Sequence, residues 1–441
     1  MEDSFSLVWG LPFVGLVLCI AAMPSVVPAF WNRNYGKVAA LWVLAFAAPD
    51  LAQRGWHVSA GDLFTVALHE YIPFVLLLAT LYIIAGGLRI SGVPRGTPAV
   101  NTAMLGIGTV LAGVIGTPGA SLLMLRPMIR ANRHRQRTTH VYVFYILLVA
   151  NIGGAISPIG NAPLFLGYLN GVPFFWPTVH IALPTLTITA GLLASFYAIE
   201  HYLRRGIRDE HTLAEIEKLG LEGSVNVLLL AAAIVAMMLS VFFPVSLAVT
   251  IFGVPWRVMD AVSDLMLLVI GLASFLLTAP SVRRANDFAW APLVEVTVLF
   301  AAIFVTLIPL TAMMAAGDAG PMKPIFERAF VNGVPDNALF YRGTGILSAI
   351  LDNAPTYLVF FGLAGNDAAR LVGPLATTLA AISAGACYYG GLTYLGNAPN
   401  LMVRAVIESH GVRMPSFFGY MLWAAVCLVP WLLLVEAIYF D

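Results

Sequence analysis

Long apolar runs separated by short charged segments set the pattern of this chain. A helix needs about 20 mostly apolar residues to span a bilayer. Runs of that kind fall at about 7–31, 37–52, 70–88, 141–176, 178–200, 225–250, 258–279, 290–316, 368–408 and 415–440. They predict about ten crossings, two of them broken, at Gly160 in 141–176 and at Gly396 in 368–408. Two further runs, 99–127 and 343–365, carry a tip motif with Pro or Gly near their centres. Each reads as a re-entrant hairpin that enters and leaves on one side.

The two breaks repeat one another. The first reads Gly153-Gly154-Ala155-Ile156-Ser157-Pro158-Ile159-Gly160-Asn161-Ala162-Pro163, and the second Gly390-Gly391-Leu392-Thr393-Tyr394-Leu395-Gly396-Asn397-Ala398-Pro399. Gly-Gly, a hydroxyl residue and Gly-Asn-Ala-Pro thus recur about 236 residues later. The hairpin tips, Gly116-Thr117-Pro118-Gly119-Ala120-Ser121 and Asp352-Asn353-Ala354-Pro355-Thr356, precede the breaks by nearly constant distances: 45 residues from Pro118 to Pro163 and 44 from Pro355 to Pro399. Glycine and proline free peptide groups that hydrocarbon cannot satisfy, so such segments must face protein, water or a solute. Interrupted segments at matching places in two halves point to a transporter's binding site, and all four are read as one site.

Basic residues orient the chain, because cytoplasmic loops are enriched in Lys and Arg. If the hairpins do not cross, 17 of the 23 basic residues gather on the side of the Arg126 to Arg137 loop and 6 on the other. Full crossing would instead send the Arg204, Arg205 and Arg208 loop outside. The expected fold class is therefore an all-α polytopic membrane protein of two inverted-topology repeats. Residues 1–203 form the first, with hairpin 99–127 and broken helix 141–176. Residues 225–441 form the second, with hairpin 343–365 and broken helix 368–408. Segment 204–224, with Glu215 and Lys218 at helical spacing, reads as a cytoplasmic linker carrying a short surface helix, and 317–341 as a polar external loop. Both termini are expected to be periplasmic, and the first run is read as a retained transmembrane helix.

Composition agrees: 60% of residues are hydrophobic and 10% charged, with mean hydropathy +0.87. A formal net charge of zero gives no reason to expect a nucleic-acid partner. The expected partners are the lipid bilayer and a small solute. Cys19, Cys387 and Cys427 lie apart in apolar runs without CxxC spacing, which suits small core residues better than disulfides or metal ligands. No nucleophile–base pair or metal-spaced cluster appears, so no enzyme and no cofactor is expected.

The site's chemistry is mostly neutral. Helix N-termini at such breaks offer N–H groups to anions, while unwound carbonyls suit cations. Thr117, Ser121, Ser157, Gly160 and Asn161 in one half, and Asn353, Thr356, Thr393, Gly396 and Asn397 in the other, suit a carboxylate or an oxygen-coordinated hard cation. Asp352 alone is charged, and an acid at membrane depth is a functional candidate by default. It reads as a sodium ligand, a proton carrier or a cap on its own hairpin. Ser121 and Thr393 are each as readily bonded to carbonyls of their own helix. Glu70 and Glu295 open the third helix of each half, where a carboxylate suits the dipole. His57, His69 and His140 are expected near membrane surfaces and solvated. Arg126 and Arg404 are expected to face cytoplasmic water or headgroups, and Trp176, Trp290 and Trp423 to anchor at the interface.

These residues, above all Asn151-Ile152-Gly153-Gly154 through Ser157-Pro158-Ile159-Gly160 and Leu351-Asp352-Asn353-Ala354-Pro355-Thr356, resemble the ion transporter superfamily. Within it the likeness is to the arsenite permease, NhaD-type sodium/proton antiporter and citrate transporter group. The resemblance implies a scaffold domain that often dimerises, hence a homodimer. It also implies a transport domain of two hairpins and two broken helices that moves as an elevator, with sodium or protons as coupling ion. NhaD-type antiporters carry acids at the first hairpin tip and in the first break, where this chain has Gly116-Thr117 and Asn161. The expected function is secondary transport of a small carboxylate such as citrate in a bacterial inner membrane. The alternative is sodium/proton exchange on Asp352.

Overall fold

The computed structural model describes residues 5–204, 220–243, 247–316, 320–331 and 333–441 of the 441. The chain opens with α1 (Leu11–Val26), α2 (Pro28–Arg54), α3 (Trp56–Val66) and α4 (Ile72–Gly86). It continues through α5 (Pro98–Ile115), α6 (Thr117–Asn132), α7 (Thr139–Leu148), α8 (Ala162–Leu169), α9 (Trp176–His180) and α10 (Ala182–Leu203). Next come α11 (Val225–Met237), α12 (Leu239–Phe242), α13 (Val258–Leu277), α14 (Pro280–Ala285), α15 (Ala291–Ala315) and α16 (Lys323–Ala329). The last are α17 (Asn337–Ile350), α18 (Asn353–Leu363), α19 (Ala368–Val372), α20 (Ala376–Tyr388), α21 (Ala398–Ser409), α22 (Phe417–Cys427) and α23 (Val429–Tyr439). Among the described residues eight helices are long and apolar enough to cross a bilayer, or nine if α22 and α23, bent by 43° before Pro430, form one span. The chain is a helical, polytopic membrane protein. Leu, Val and Phe side chains left exposed along α2, α10, α13 and α22 are what a lipid-facing surface requires.

Several boundaries differ from those the hydropathy suggests, each for a local reason. The first run divides at Val27 because Pro28 starts a new helix, where its missing N–H costs nothing. The third span begins at Trp56 rather than residue 70, because Arg54 pairs with both Asp50 and Asp62 and so offsets the charges near its start. Glu70 therefore does not open a helix. It lies in a π-helical turn, Ala67–Tyr71, inside a continuous one. Glu295 is likewise past the first turn of α15, and its carboxylate accepts the Trp31 indole N–H at 2.8 Å. The run at 225–250 ends as helix at Phe242. Beyond it β3 (Ala248–Ile251) and β4 (Val254–Arg257) form a hairpin whose turn residues, Phe252 and Gly253, both have positive φ, the turn that matches strand twist. Two further small pairs, β1 (Arg89–Ser91) with β2 (Gly220–Glu222) and β5 (Phe330–Val331) with β6 (Val334–Pro335), complete the strands among the described residues. The linker segment with Glu215 and Lys218 lies outside the described residues, as do residues 317–319 and 332 of the external loop.

Two groups of helices can be distinguished by their packing. One contains α1, α2, α4, α11, α13 and α15. In the other, α5 and α6 fold back on each other at Gly116, whose φ of +80° suits glycine. Their far ends meet where Asn101 and Asn132 exchange amide hydrogen bonds at 2.9 and 3.0 Å. Helices α17 and α18 fold back at Leu351-Asp352, bringing Phe340 against Phe360. Between these pairs run α7 and α20, buried along nearly their whole length.

His140 is not solvated as expected. It is buried against Glu200 on α10 at 2.5 Å. Glu200 also takes two hydrogen bonds from Arg135, at 2.6 and 2.9 Å, and one from Asn101 at 2.9 Å. Trp176 is buried too, stacked on His180 with its indole N–H on the Val372 carbonyl, so it is a packing residue and not an interfacial anchor. His57 is exposed, and His69 meets the Pro255 carbonyl at 3.0 Å. Arg126 pairs with Asp287 at 2.7 Å, while Arg404 pairs with Glu408 and lies 4.7 Å from the Tyr394 ring centre.

Candidate functional site

Both broken helices unwind in the same way. After α7 the chain makes a single 3-10 turn, Ile152–Ile156, turns through Ser157 and re-enters helix at Ala162. After α20 it makes a 3-10 turn, Tyr389–Leu392, turns through Thr393 and re-enters at Ala398. Two hydroxyls hold these turns by equivalent bonds. Ser157 donates to the Gly113 carbonyl at 2.5 Å and accepts from the Gly160 N–H at 3.1 Å. Thr393 donates to the Ala349 carbonyl at 2.6 Å and accepts from the Gly396 N–H at 3.1 Å. Each hydroxyl thus satisfies a freed peptide group and ties its break to the first arm of the neighbouring hairpin.

Close backbone contact explains the glycines. A Cβ on Gly160 would sit 2.3 Å from the Gly154 carbonyl oxygen, and one on Gly396 would sit 2.7 Å from that of Gly390. Gly154 and Gly390 are therefore the equivalent pair. The Gly-Gly match in the sequence is one residue out of register with the fold.

All four interrupted segments meet. The Thr117 N–H at the first tip donates to the Gly160 carbonyl at 2.9 Å. At the second tip, Asn353 Nδ2 donates to Asn161 Oδ1 at 2.9 Å, joining hairpin two to break one. The breaks also join each other, because Asn397 Nδ2 donates to the Ala150 carbonyl at 2.8 Å and to Asn151 Oδ1 at 3.3 Å. Asn151 in turn donates to Asn400 Oδ1 at 2.8 Å, and Asn400 donates to the Gly390 and Thr393 carbonyls at 2.8 and 2.9 Å. Asp352 caps α18, accepting from the Ala354 N–H at 3.3 Å, with the amides of Ala398 and Asn353 also facing its carboxylate. One carboxylate therefore serves the N-termini of both α18 and α21, where the positive ends of helix dipoles favour an anion.

Not every expected residue reaches this crossing. The Thr356 hydroxyl turns back to the Asp352 carbonyl at 3.0 Å. The Ser121 hydroxyl is buried one turn along α6 without a partner, and Thr393 bonds across to the hairpin rather than to its own helix. Asn400 and Cys387 were not expected at the site, and Asn151 was singled out only as part of the first break's motif. Asn400 sits directly after Gly-Asn-Ala-Pro in an apolar run, and Cys387 stands 236 residues after Asn151, the repeat's own spacing. Both signals were present in the chain.

Among the described residues no group of three or more His, Cys, Asp or Glu is placed to hold a metal ion. The Asp352 carboxyl is met by backbone N–H donors. No curated protein matches the chain. A family model described as "Putative citrate transport" matches residues 2–440, and with nearly the whole chain covered the protein belongs to that family.

Proposed function

We propose that the protein is a secondary active transporter of a small anionic carboxylate of the citrate type, driven by sodium or protons. Inverted repeats 1–203 and 225–441 supply one hairpin and one broken helix each to a transport domain that moves as an elevator. The helices of the other packing group serve as scaffold and dimer contact, in a bacterial inner membrane with both termini periplasmic. The observation that carries this reading is the meeting of four interrupted segments through Thr117–Gly160, Asn161–Asn353 and Asn397–Asn151 contacts deep in the helical core. Peptide ends and neutral amides there can receive carboxylate oxygens without burying an opposing cation. Thr117, Ser157, Gly160, Asn161, Asp352, Asn353, Thr393, Gly396 and Asn397 form or shape that site, with Ser121 and Thr356 one turn behind the tips.

Sodium/proton exchange on Asp352 is the second reading. Asp352 is the one acid at the crossing, which favours it. Reconstituted vesicles separate the two. Carboxylate transport requires labelled citrate to accumulate under an imposed sodium or pH gradient. Exchange requires a sodium gradient to move protons with no organic solute, and Asp352→Asn to abolish that movement. Proton flux without solute, lost in Asp352→Asn, would replace the first reading with the second.

A further inference from the structure

Glu70 and Glu295 both stand in long apolar spans of the helix group around α4 and α15, and only one of them is engaged. Glu295 accepts the Trp31 indole N–H at 2.8 Å. Glu70 has no hydrogen bond or ion pair among the described residues, and no charged side chain lies beside it. It stands 14 residues after Trp56 and 16 before Gly86 in a 31-residue span, which at about 1.5 Å per residue puts it near mid-bilayer. An acid without a partner at that depth is costly to keep.

The backbone marks the same residue. Ala67–Tyr71 is a π turn inside an otherwise α-helical span, a widening that occurs mostly at functional sites. The titratable groups on the elements packed around this turn are committed elsewhere. His69 turns to the Pro255 carbonyl on the side of Asp260, Tyr71 donates to the Thr297 carbonyl of α15, and Tyr82 of α4 donates to the Ala289 carbonyl. Asp62 of α3 pairs with Arg54, His57 at the start of α3 is exposed, and Tyr168 of α8 donates to the Met237 carbonyl. Helix α8 packs against the π turn, and its first residue follows Asn161 at the crossing. One uncommitted carboxyl thus stands a single helix away from the place where the four segments meet.

Resting on the transport reading above, we propose that Glu70 binds the coupling proton, so that the proton site lies in the π turn and apart from the crossing. A proton neutralises a lone carboxylate without further ligands, whereas a hard cation needs several oxygens around it. The step is a single protonation: the carboxylate takes H+ from water on one side and returns it to water on the other, with no other bond made or broken. An anionic solute at the crossing and a bare carboxylate nearby repel each other. The solute therefore favours the protonated acid, and the proton favours the bound solute by the same factor. Loaded protein then carries the proton, and empty protein does not.

Vesicles holding the full-length protein test this, with the membrane potential held at zero. Two rates are compared: accumulation of labelled citrate driven by an inward proton gradient, and exchange of labelled for unlabelled citrate with no gradient. Glu70→Gln mimics the protonated acid, so exchange should stay within about twofold of wild type while driven accumulation falls about tenfold, the worth of one pH unit per proton. Glu70→Asp keeps a titrating group and should retain driven accumulation. Glu295→Gln, whose amide oxygen can still accept from Trp31, should keep both rates. Driven accumulation at the wild-type level in Glu70→Gln overturns the proposal. So does loss of exchange together with accumulation, which would make Glu70 a structural residue. A wild-type protein that exchanges citrate but is driven by a sodium gradient alone also overturns it and leaves the transport reading standing. Absence of citrate exchange in the wild-type protein overturns the transport reading itself, and this proposal with it.

Discussion

Glu200 and Glu436 stand 236 residues apart, at the same place in the last helix of each half, yet their neutralisation should have very different effects. Glu200 is fully buried and holds Arg135, whose side chain is 14% exposed, and His140, 3% exposed. Replacing it by Gln leaves a guanidinium facing a neutral amide, with little room to turn toward water. Breaking a buried ion pair from one side costs about 3–5 kcal/mol. The bond it loses also ties both ends of the α5–α6 hairpin, through Asn101 and Asn132, to α10. Glu436 is equally buried, but its partner Arg342 is 56% exposed and free to swing into solvent. Glu436→Gln should therefore cost about 1 kcal/mol or less, as for a solvated pair. Thermal unfolding in detergent, read with a thiol-reactive fluorophore, suits the comparison, because Cys387 and Cys427 are buried and label on unfolding. The midpoint should fall by several degrees in Glu200→Gln and by about a degree in Glu436→Gln. Equal shifts, or a larger one for Glu436→Gln, would refute the argument that partner exposure decides the cost.

Gly160→Ala and Gly396→Ala should each abolish transport and lower the melting point, because the new methyl would meet a backbone carbonyl at 2.3 or 2.7 Å; Gly61→Ala, with open space around it, is the control that should behave as wild type. Ser157→Ala and Thr393→Ala should destabilise to similar extents, about 1–3 kcal/mol each, since each hydroxyl both donates and accepts at its break; a large difference in melting shift between them would contradict the equivalence of the two turns. Asp352→Ala should eliminate citrate accumulation in vesicles, because the N-termini of α18 and α21 lose their shared carboxylate. Accumulation at the wild-type rate would show that the cap is dispensable.

The breaks were legible in the sequence because glycine and proline cannot hide in an apolar run, and their duplication at fixed spacing marked them as one construction. What the helices outside the site do was less legible. Hydropathy alone placed the third span too late, since Asp62 looks like a solvated residue until Arg54 is brought against it. It carried the run at 225–250 too far, because Val249, Thr250 and Ile251 are as apolar in a strand as in a helix, and the turn at Phe252-Gly253 decides between them. His140 was misread for a related reason. Near the end of an apolar run it looks like a surface residue, and only the fold brings Glu200 beside it from 60 residues away. Within the site, the residues named from the repeats were those whose spacing recurs. Asn400 and Cys387 were passed over, and Asn151 noted only within its motif, because these are positions at which the two copies differ.

Those differences determine what a duplicated segment can hold. Two faithful copies meeting at a pseudo-twofold would offer the same groups twice, leaving either two equivalent solute positions or none. Here the tip that carries Gly116 in one half carries Asp352 in the other, and the Asn151 of one half is answered by Cys387. The first change sets a carboxyl group against the helix ends of the second half, where their N–H groups find an acceptor. The second change puts a thiol beside Asn161 where the other crossing has an amide. On one side Asn397, Asn151 and Asn400 bond in series to backbone carbonyls, which fixes the two breaks against each other. On the other, a single amide contact joins Asn353 of one hairpin to Asn161 of the opposite break. The duplicated motif brings the breaks together, and the residues that differ between the two copies make the contacts on its two sides unlike.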